Sequence, residues 1–214
     1  MMLALAAADL HPGHRVLDVG AGTGGLYDFL EARDLAVHYY AFDPSGAMLE
    51  QSRIPVACRF QGRVEEIPGD WPFFDRVFVL GVSTYLSDAE LRSMLEFLRG
   101  HLAPGGRLLI TFTHAGWWGL PFRRVLGMLV PSVLFPNRLL GKSTPFYPRR
   151  VELLPALFGE HWKICAHQWL NTSIPLKRIF PGLAFPVSVR LRSFLPEFWV
   201  SRLSSDFIVF AEVR

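Results

Sequence analysis

The stretch that decides the fold is Val16-Leu17-Asp18-Val19-Gly20-Ala21-Gly22-Thr23-Gly24-Gly25. Val16, Leu17 and Val19 form a short apolar run closed by glycine, the pattern of a buried parallel strand. Three glycines follow at spacing two, and then Leu26, Phe29 and Leu30 at i, i+3 and i+4 open a helix. Strand, glycine-rich turn and helix let a ligand lie against bare backbone at a helix N-terminus. A Cβ would hold that ligand off, and tight turns often need φ > 0. Two glycine patterns fit. Gly20, Gly22 and Gly25 match the dinucleotide form G-x-G-x-x-G, and Gly20, Gly22 and Gly24 match G-x-G-x-G. Asp18 favours the second, because its carboxylate would repel a pyrophosphate across the turn and attract a ligand carrying an ammonium and a sulfonium.

On these residues the chain resembles the class I S-adenosylmethionine-dependent methyltransferases, whose first motif reads like Leu17 to Gly24. The resemblance implies an α/β, Rossmann-like fold with a seven-stranded, mostly parallel sheet and an antiparallel last strand. It implies S-adenosylmethionine as cofactor, S-adenosylhomocysteine as product and no metal. Asp18, Gly20, Ala21, Gly22 and Gly24 would then hold the methionine part.

Working outward, the second strand is Val37 to Phe42 and ends at Asp43, 23 residues after Gly20. An acid at the tip of this strand can accept hydrogen bonds from both ribose hydroxyls. Asp43 would equally serve as an ordinary N-cap for a helix over 46–52. The family places Pro44 in the following turn and Met48 on the adenine. A third strand over 57–61 leads to Arg63 and Val64, which resemble the third motif at the adenine edge. The family often has Asp where Arg63 stands, so backbone contacts from Arg63 or Val64 are the ones expected to persist.

Phe74 to Gly81 reads as the fourth strand, with Gly81 beside the cofactor. Ser87 to Glu90 is an S-x-x-E capping box. It opens a helix with Leu91, Met94, Leu95, Leu98 and Leu102 on one face. Ala103-Pro104-Gly105-Gly106 turns into a strand over 107–113. A helix over 148–158, with a kink at Pro155, and strands over 162–170 and 206–213 complete the expected core.

One domain over 1–214 is expected, with its core in 10–113, 148–170 and 206–213. Two insertions, 115–147 and 171–205, read as a hydrophobic and basic lid. Charge divides the same way. Residues 1–114 hold 9 basic and 14 acidic side chains, and residues 115–214 hold 13 and 5. The first half reads as an acidic nucleotide-binding core, and the second as a basic, greasy addition. Its composition, rich in Leu, Val, Phe and Pro, points to a small lipophilic or lipid-linked acceptor. It also suits contact with an anionic membrane surface, through Trp117, Trp118, Arg123 and Arg124. Rival readings are an RNA or other nucleic-acid methyltransferase docking through the basic half, and a nicotinamide-dependent Rossmann enzyme. The lack of an Asn/Asp-Pro-Pro-aromatic motif after the fourth strand argues against methyltransferases of base amino groups, and insertions poor in Asn and Gln fit greasy ligands better than nucleic acid.

Methyl transfer needs alignment first and a base only when the nucleophile holds a tightly bound proton. His114, just past the fifth strand, is the candidate base, and Tyr85, past the fourth, the candidate for orienting substrate. His11 and His14 read as caps of the entry turn and His101 as a helix-end residue. No two histidines have a metal spacing, and no nucleophile elbow occurs. Met1 to Ala8 reads as a short packing helix without the basic region of a signal peptide. Cys58 and Cys165 read as buried free thiols, which with the absence of an apolar run long enough to span a membrane suggests a cytoplasmic protein, peripheral at most.

Overall fold

The structure is a computed structural model describing residues 9–118, 145–172 and 194–214. Its seven strands are β1 (Arg15–Val19), β2 (His38–Asp43), β3 (Arg59–Gln61), β4 (Phe74–Val79), β5 (Leu102–Thr113), β6 (Trp162–Thr172) and β7 (Ser204–Val213). They form one sheet in the order β3-β2-β1-β4-β5-β7-β6. Strands β1 to β5 are parallel, and β7 runs antiparallel to both β5 and β6. This is the α/β arrangement that the family resemblance implies.

Period-two alternation divides the apolar residues between two layers. Leu17, Val19, Val77, Val79, Ile110 and Phe112 face one core. It is covered by α3 (Asp88–Arg99) and α4 (Leu154–Phe158), through Leu91, Leu95, Leu98 and Leu157. Val16, Phe78, Leu109 and Ile208 face the other core, with Leu26 and Leu30 of α1 (Gly25–Glu31). Phe112 stacks on Phe207 at 5.4 Å and meets Phe158 edge-on. Truncating so buried a ring costs about 3–5 kcal/mol. The chain leaves β1 toward β2 on one side and returns to place β4 on the other. The crevice for a ligand therefore opens beyond the carboxyl ends of β1 and β4.

Several boundaries differ from expectation. The Pro-Gly-Gly turn belongs to β5 as a bulge, since Phe74 pairs with Leu102 and Arg76 with Arg107. Leu102 is thus a strand residue, not the end of a helical face. The capping box holds: Ser87 Oγ accepts from the Glu90 N–H, and Glu90 Oε2 accepts from the Ser87 N–H at 2.8 Å. The helix expected over 148–158 is a 3-10 turn (Val151–Leu153) followed by α4, without a kink. Pro155 stands in the first turn of α4, where its missing N–H breaks no bond. The helix after β2, α2 (Gly46–Glu50), is short, and Val56–Cys58 is a 3-10 turn. A helix absent from the sequence reading, α5 (Glu197–Leu203), lies in the second insertion.

The thiols are free but not deeply buried. Cys58 is half-buried and Cys165 is exposed. Cys165 stands at an irregularity in the β6–β7 register, between Ile164 and Ala166, on an edge strand. The expected N-terminal helix and most of both insertions, including Arg123 and Arg124, lie outside the described residues. Among the described residues no helix is long and apolar enough to cross a membrane, and no cluster of metal-ligating side chains occurs.

Candidate functional site

The loop after β1 is built by left-handed glycines. Gly20, Gly22 and Gly24 have φ of 70°, 56° and 84°. Gly25 has an ordinary φ, so the constrained set is the G-x-G-x-G one. The Gly20 and Ala21 N–H groups both donate to the Phe42 carbonyl, at 2.9 and 3.1 Å, tying the loop to the end of β2. A Cβ at Gly20 would collide with Cγ2 of Val82, so this glycine lets the loops after β1 and β4 touch. A Cβ at Gly22 would meet nothing within 4 Å. The open face lies over Gly22.

Asp43 closes this edge. Its Oδ2 accepts from the Gly22 N–H at 2.9 Å, and its Oδ1 from the Ser45 N–H at 2.8 Å. Its carbonyl accepts from the Gly62 N–H at 3.2 Å, linking the ends of β2 and β3. Each carboxylate oxygen keeps a lone pair for a further donor. The N-cap of α2 is Ser45, so Asp43 is not the ordinary N-cap its residue type allowed; it ties two loops together.

Asp18 is turned inward. It is buried, and the Tyr39 hydroxyl donates to its Oδ2 at 2.5 Å. The Tyr39 ring also meets the Tyr27 ring edge-on at 5.2 Å, which links Asp18 to α1. Burial pushes the Asp18 carboxyl up to about 7; the Tyr39 hydrogen bond opposes this and the Asp43 charge adds to it. Tyr39 escapes a sequence reading because it looks like any aromatic of an amphipathic strand.

The remaining cofactor candidates fall along the same rim. Pro44 and Met48 are exposed, Met48 by 45%. Arg63 is exposed and near Glu65, and its backbone N–H donates to Glu66 Oε2 at 2.7 Å. Val64 buries its side chain in the core, leaving backbone as its only surface for a ligand. Gly81 has φ 78°, and its N–H donates to Thr111 Oγ1 at 2.8 Å.

Comparison with known proteins agrees with this geometry. Residues 17–108 match the family described as methyltransferase domain. The cobalt-precorrin-6B C(15)-methyltransferase (decarboxylating) of Salmonella typhimurium is 34% identical over 118 residues, 51% of this chain and 57% of that protein. An uncharacterized methyltransferase of Mycobacterium tuberculosis is 42% identical over 96 residues, covering 44% and 37%. The chain thus spans little more than half the length of these curated relatives, or less. Magnesium protoporphyrin IX methyltransferase from Synechocystis, with bound S-adenosylhomocysteine, shares the fold with a TM-score of 0.60 at 19% identity. That likeness covers 100% of this chain and 78% of that one. An S-adenosylmethionine-dependent methyltransferase from Mesorhizobium loti gives 0.64 at 16% identity, covering 100% and 96%. Residues 17–108 thus resemble the methyltransferase-domain family, and the sheet has the fold of solved S-adenosylmethionine-dependent methyltransferases.

On the other side of the crevice, the turn after β4 carries Tyr85, which is 53% exposed. Its neighbours are fixed to β5: Ser83 Oγ donates to the Thr111 carbonyl at 2.5 Å, and Thr84 Oγ1 lies 3.1 Å from Thr113 Oγ1. The key residue here is Arg149, which the sequence reading passed over. It is buried, and its guanidinium donates to the carbonyls of Ser83 (2.7 Å) and Leu86 (2.6 Å) and to Asp88 Oδ1 (3.0 Å). In sequence it is one arginine of a surface-looking Arg149-Arg150 pair, and nothing marks it as buried.

His114 sits beyond this cluster. Its Nδ1 lies 3.0 Å from the Ser201 carbonyl, which can only accept, so Nδ1 carries the proton. The ring packs on Trp169 at 4.7 Å, and Gly116 covers Nε2, since a Cβ there would lie 2.8 Å away. Burial holds its pKa below the usual histidine value. The structure therefore joins His114 to β6 and α5, and does not bring it together with the glycine loop. His101 behaves as expected, its Nδ1 meeting the Phe97 carbonyl at 2.9 Å at the end of α3.

Proposed function

We propose that this chain transfers a methyl group from S-adenosylmethionine to a small, lipophilic acceptor by in-line displacement. The observation that carries the reading is the open, left-handed Gly22 held against the Asp43 carboxylate at the tip of β2. When bound, S-adenosylmethionine supplies a methyl on a sulfonium; the acceptor's lone pair takes it as the S–C electron pair returns to sulfur. The protein's own residues align and enclose. Asp43 uses its remaining lone pairs for the ribose hydroxyls, and the loop backbone over Gly22 receives the methionine part. Met48 lies against the adenine, with Arg63 and Val64 offering backbone at its edge.

Tyr85 faces the acceptor, and His114 keeps β5 and α5 in register without taking the acceptor's proton. A small-molecule acceptor is supported by relatives named for a cobalt-precorrin and a magnesium protoporphyrin. The lipophilic character is supported by Trp118, Phe198 and Trp199, exposed together with Arg202 over the Phe198 ring at 4.6 Å. The same cluster suits peripheral contact with an anionic membrane, which vesicle flotation would detect as salt-sensitive binding. Calorimetry decides the cofactor: S-adenosylhomocysteine should bind and NADH should not. The reverse would return the nicotinamide reading.

A further inference from the structure

A second feature of the same rim is a cavity of about 490 Å³ between the start of α3 and residues 146–157. Its floor is anchored to the turn after β4 and to the end of β5. The Tyr147 N–H donates to the Thr84 carbonyl and the Arg149 N–H to the Thr113 carbonyl, both at 2.8 Å. Tyr147 is thereby bonded to the residue before Tyr85, so the cavity stands on the acceptor side of the crevice proposed above. Another cavity, of about 470 Å³, is lined by Phe73, Gly106 and Arg214 at the amino end of β5, the wrong end of a parallel sheet for a ligand.

The charges lining the first cavity do not balance. Arg149 and Asp88 are paired, and Arg149 is further satisfied by carbonyls. That leaves Arg92 and Arg150, both exposed and both lining the cavity. Neither has a carboxylate or carbonyl partner among the described residues, and Asp88 Oδ1, one turn from Arg92, is engaged by Arg149. Around them stand Phe146, Tyr147 and Leu153, exposed by 48%, 40% and 59%. Two guanidiniums beside apolar and aromatic surface match a carboxylate or phosphate on a hydrophobic body.

We propose that this cavity is the acceptor site and that Arg92 and Arg150 select acceptors bearing a carboxylate or phosphate on an apolar or aromatic skeleton. This rests on the methyl-transfer reading for its role, but the binding itself can be tested apart from it. The probes are 2-naphthoate, 2-naphthyl phosphate and 2-naphthol, which share one body and differ in charge. Titration calorimetry is run at pH 7 on the full chain and on Arg92→Gln, Arg150→Gln and the double variant. S-adenosylhomocysteine affinity is measured on each as a check of the cofactor site.

The anions should bind and the neutral naphthol should not. Each single substitution should weaken anion binding about tenfold or more, and the pair should abolish it, with S-adenosylhomocysteine affinity unchanged. Preference between naphthoate and naphthyl phosphate then names the oxyanion. Equal binding of all three probes, no binding of any, or indifference to both substitutions overturns the site. Anion binding without S-adenosylhomocysteine binding would instead overturn the methyl-transfer reading and leave the anion site standing.

Discussion

Two buried charges of opposite sign organise the two sides of the crevice. On the β2 side, Asp43 gathers backbone N–H groups from Gly22 and Ser45. On the β5 side, Arg149 gathers backbone carbonyls from Ser83 and Leu86. Each satisfies loop groups that the sheet leaves unpaired. The difference lies in what remains. Asp43 keeps lone pairs facing an open glycine, whereas Arg149 uses its donors on the protein and leaves recognition to neighbouring arginines. One side therefore binds directly through its anchor, and the other holds a surface on which binding is done by Arg92 and Arg150.

The largest effect should come from breaking the second anchor. Arg149→Met leaves the Ser83 and Leu86 carbonyls without their donor and should cost about 3 kcal/mol by urea denaturation. The Asp88 share is small, because that carboxylate is 59% exposed and stays hydrated. Arg149→Lys keeps the charge but not the fork, and should recover less than half of the loss. Full stability in Arg149→Met would remove it as an anchor.

Glycine substitutions sharpen the contrast within the first side. Gly20→Ala meets Val82 and a left-handed backbone, so it should cost about 2 kcal/mol of stability. Gly22→Val is also strained, but its side chain enters open space where the ligand would lie. Its main effect should be a loss of S-adenosylhomocysteine affinity of about a hundredfold or more. Equal affinity in Gly22→Val would put the ligand elsewhere.

Much of this was legible in the sequence because its causes are local. The apolar period of Val16 to Val19, the glycine spacing and the Ser87–Glu90 box each depend on neighbours in the chain. The seven-stranded, mostly parallel sheet with its antiparallel last strand followed from the family resemblance, whereas the strand order comes from the structure. Arg149 and Tyr39 were not legible, because burial of a polar side chain depends on partners 61 to 66 residues away, or 21. His114 looked like a base from its position after β5, and its tie to Ser201 spans 87 residues. Nor does residue type give the direction of Asp18, which faces Tyr39 inside the fold.

A smaller effect tests the ribose assignment. Asp43→Ala removes charge-assisted hydrogen bonds worth about 1.5–3 kcal/mol, roughly ten- to a hundredfold in S-adenosylhomocysteine affinity. Asp43→Asn keeps acceptor capacity for the Gly22 N–H and should lose less. If calorimetry gave both variants the affinity of the unaltered chain, Asp43 would be only a loop tie.

The smallest effect concerns Asp18, whose carboxyl is raised by burial to about 7. A carboxyl raised in the folded state stabilises the free protein below its unfolded value and loses that contribution as pH climbs to about 7. Between pH 4 and 7 the unliganded chain should therefore lose melting temperature relative to Asp18→Asn. A bound ammonium reverses the preference, because it favours the ionised carboxylate. Binding of S-adenosylhomocysteine at pH 7 should then release roughly half a proton, and close to none at pH 8.5. Calorimetry in buffers of differing ionisation enthalpy reads this directly. Release that persists in Asp18→Asn would assign the proton to another group, and no release at pH 7 would mean that the ligand's cation does not sense Asp18.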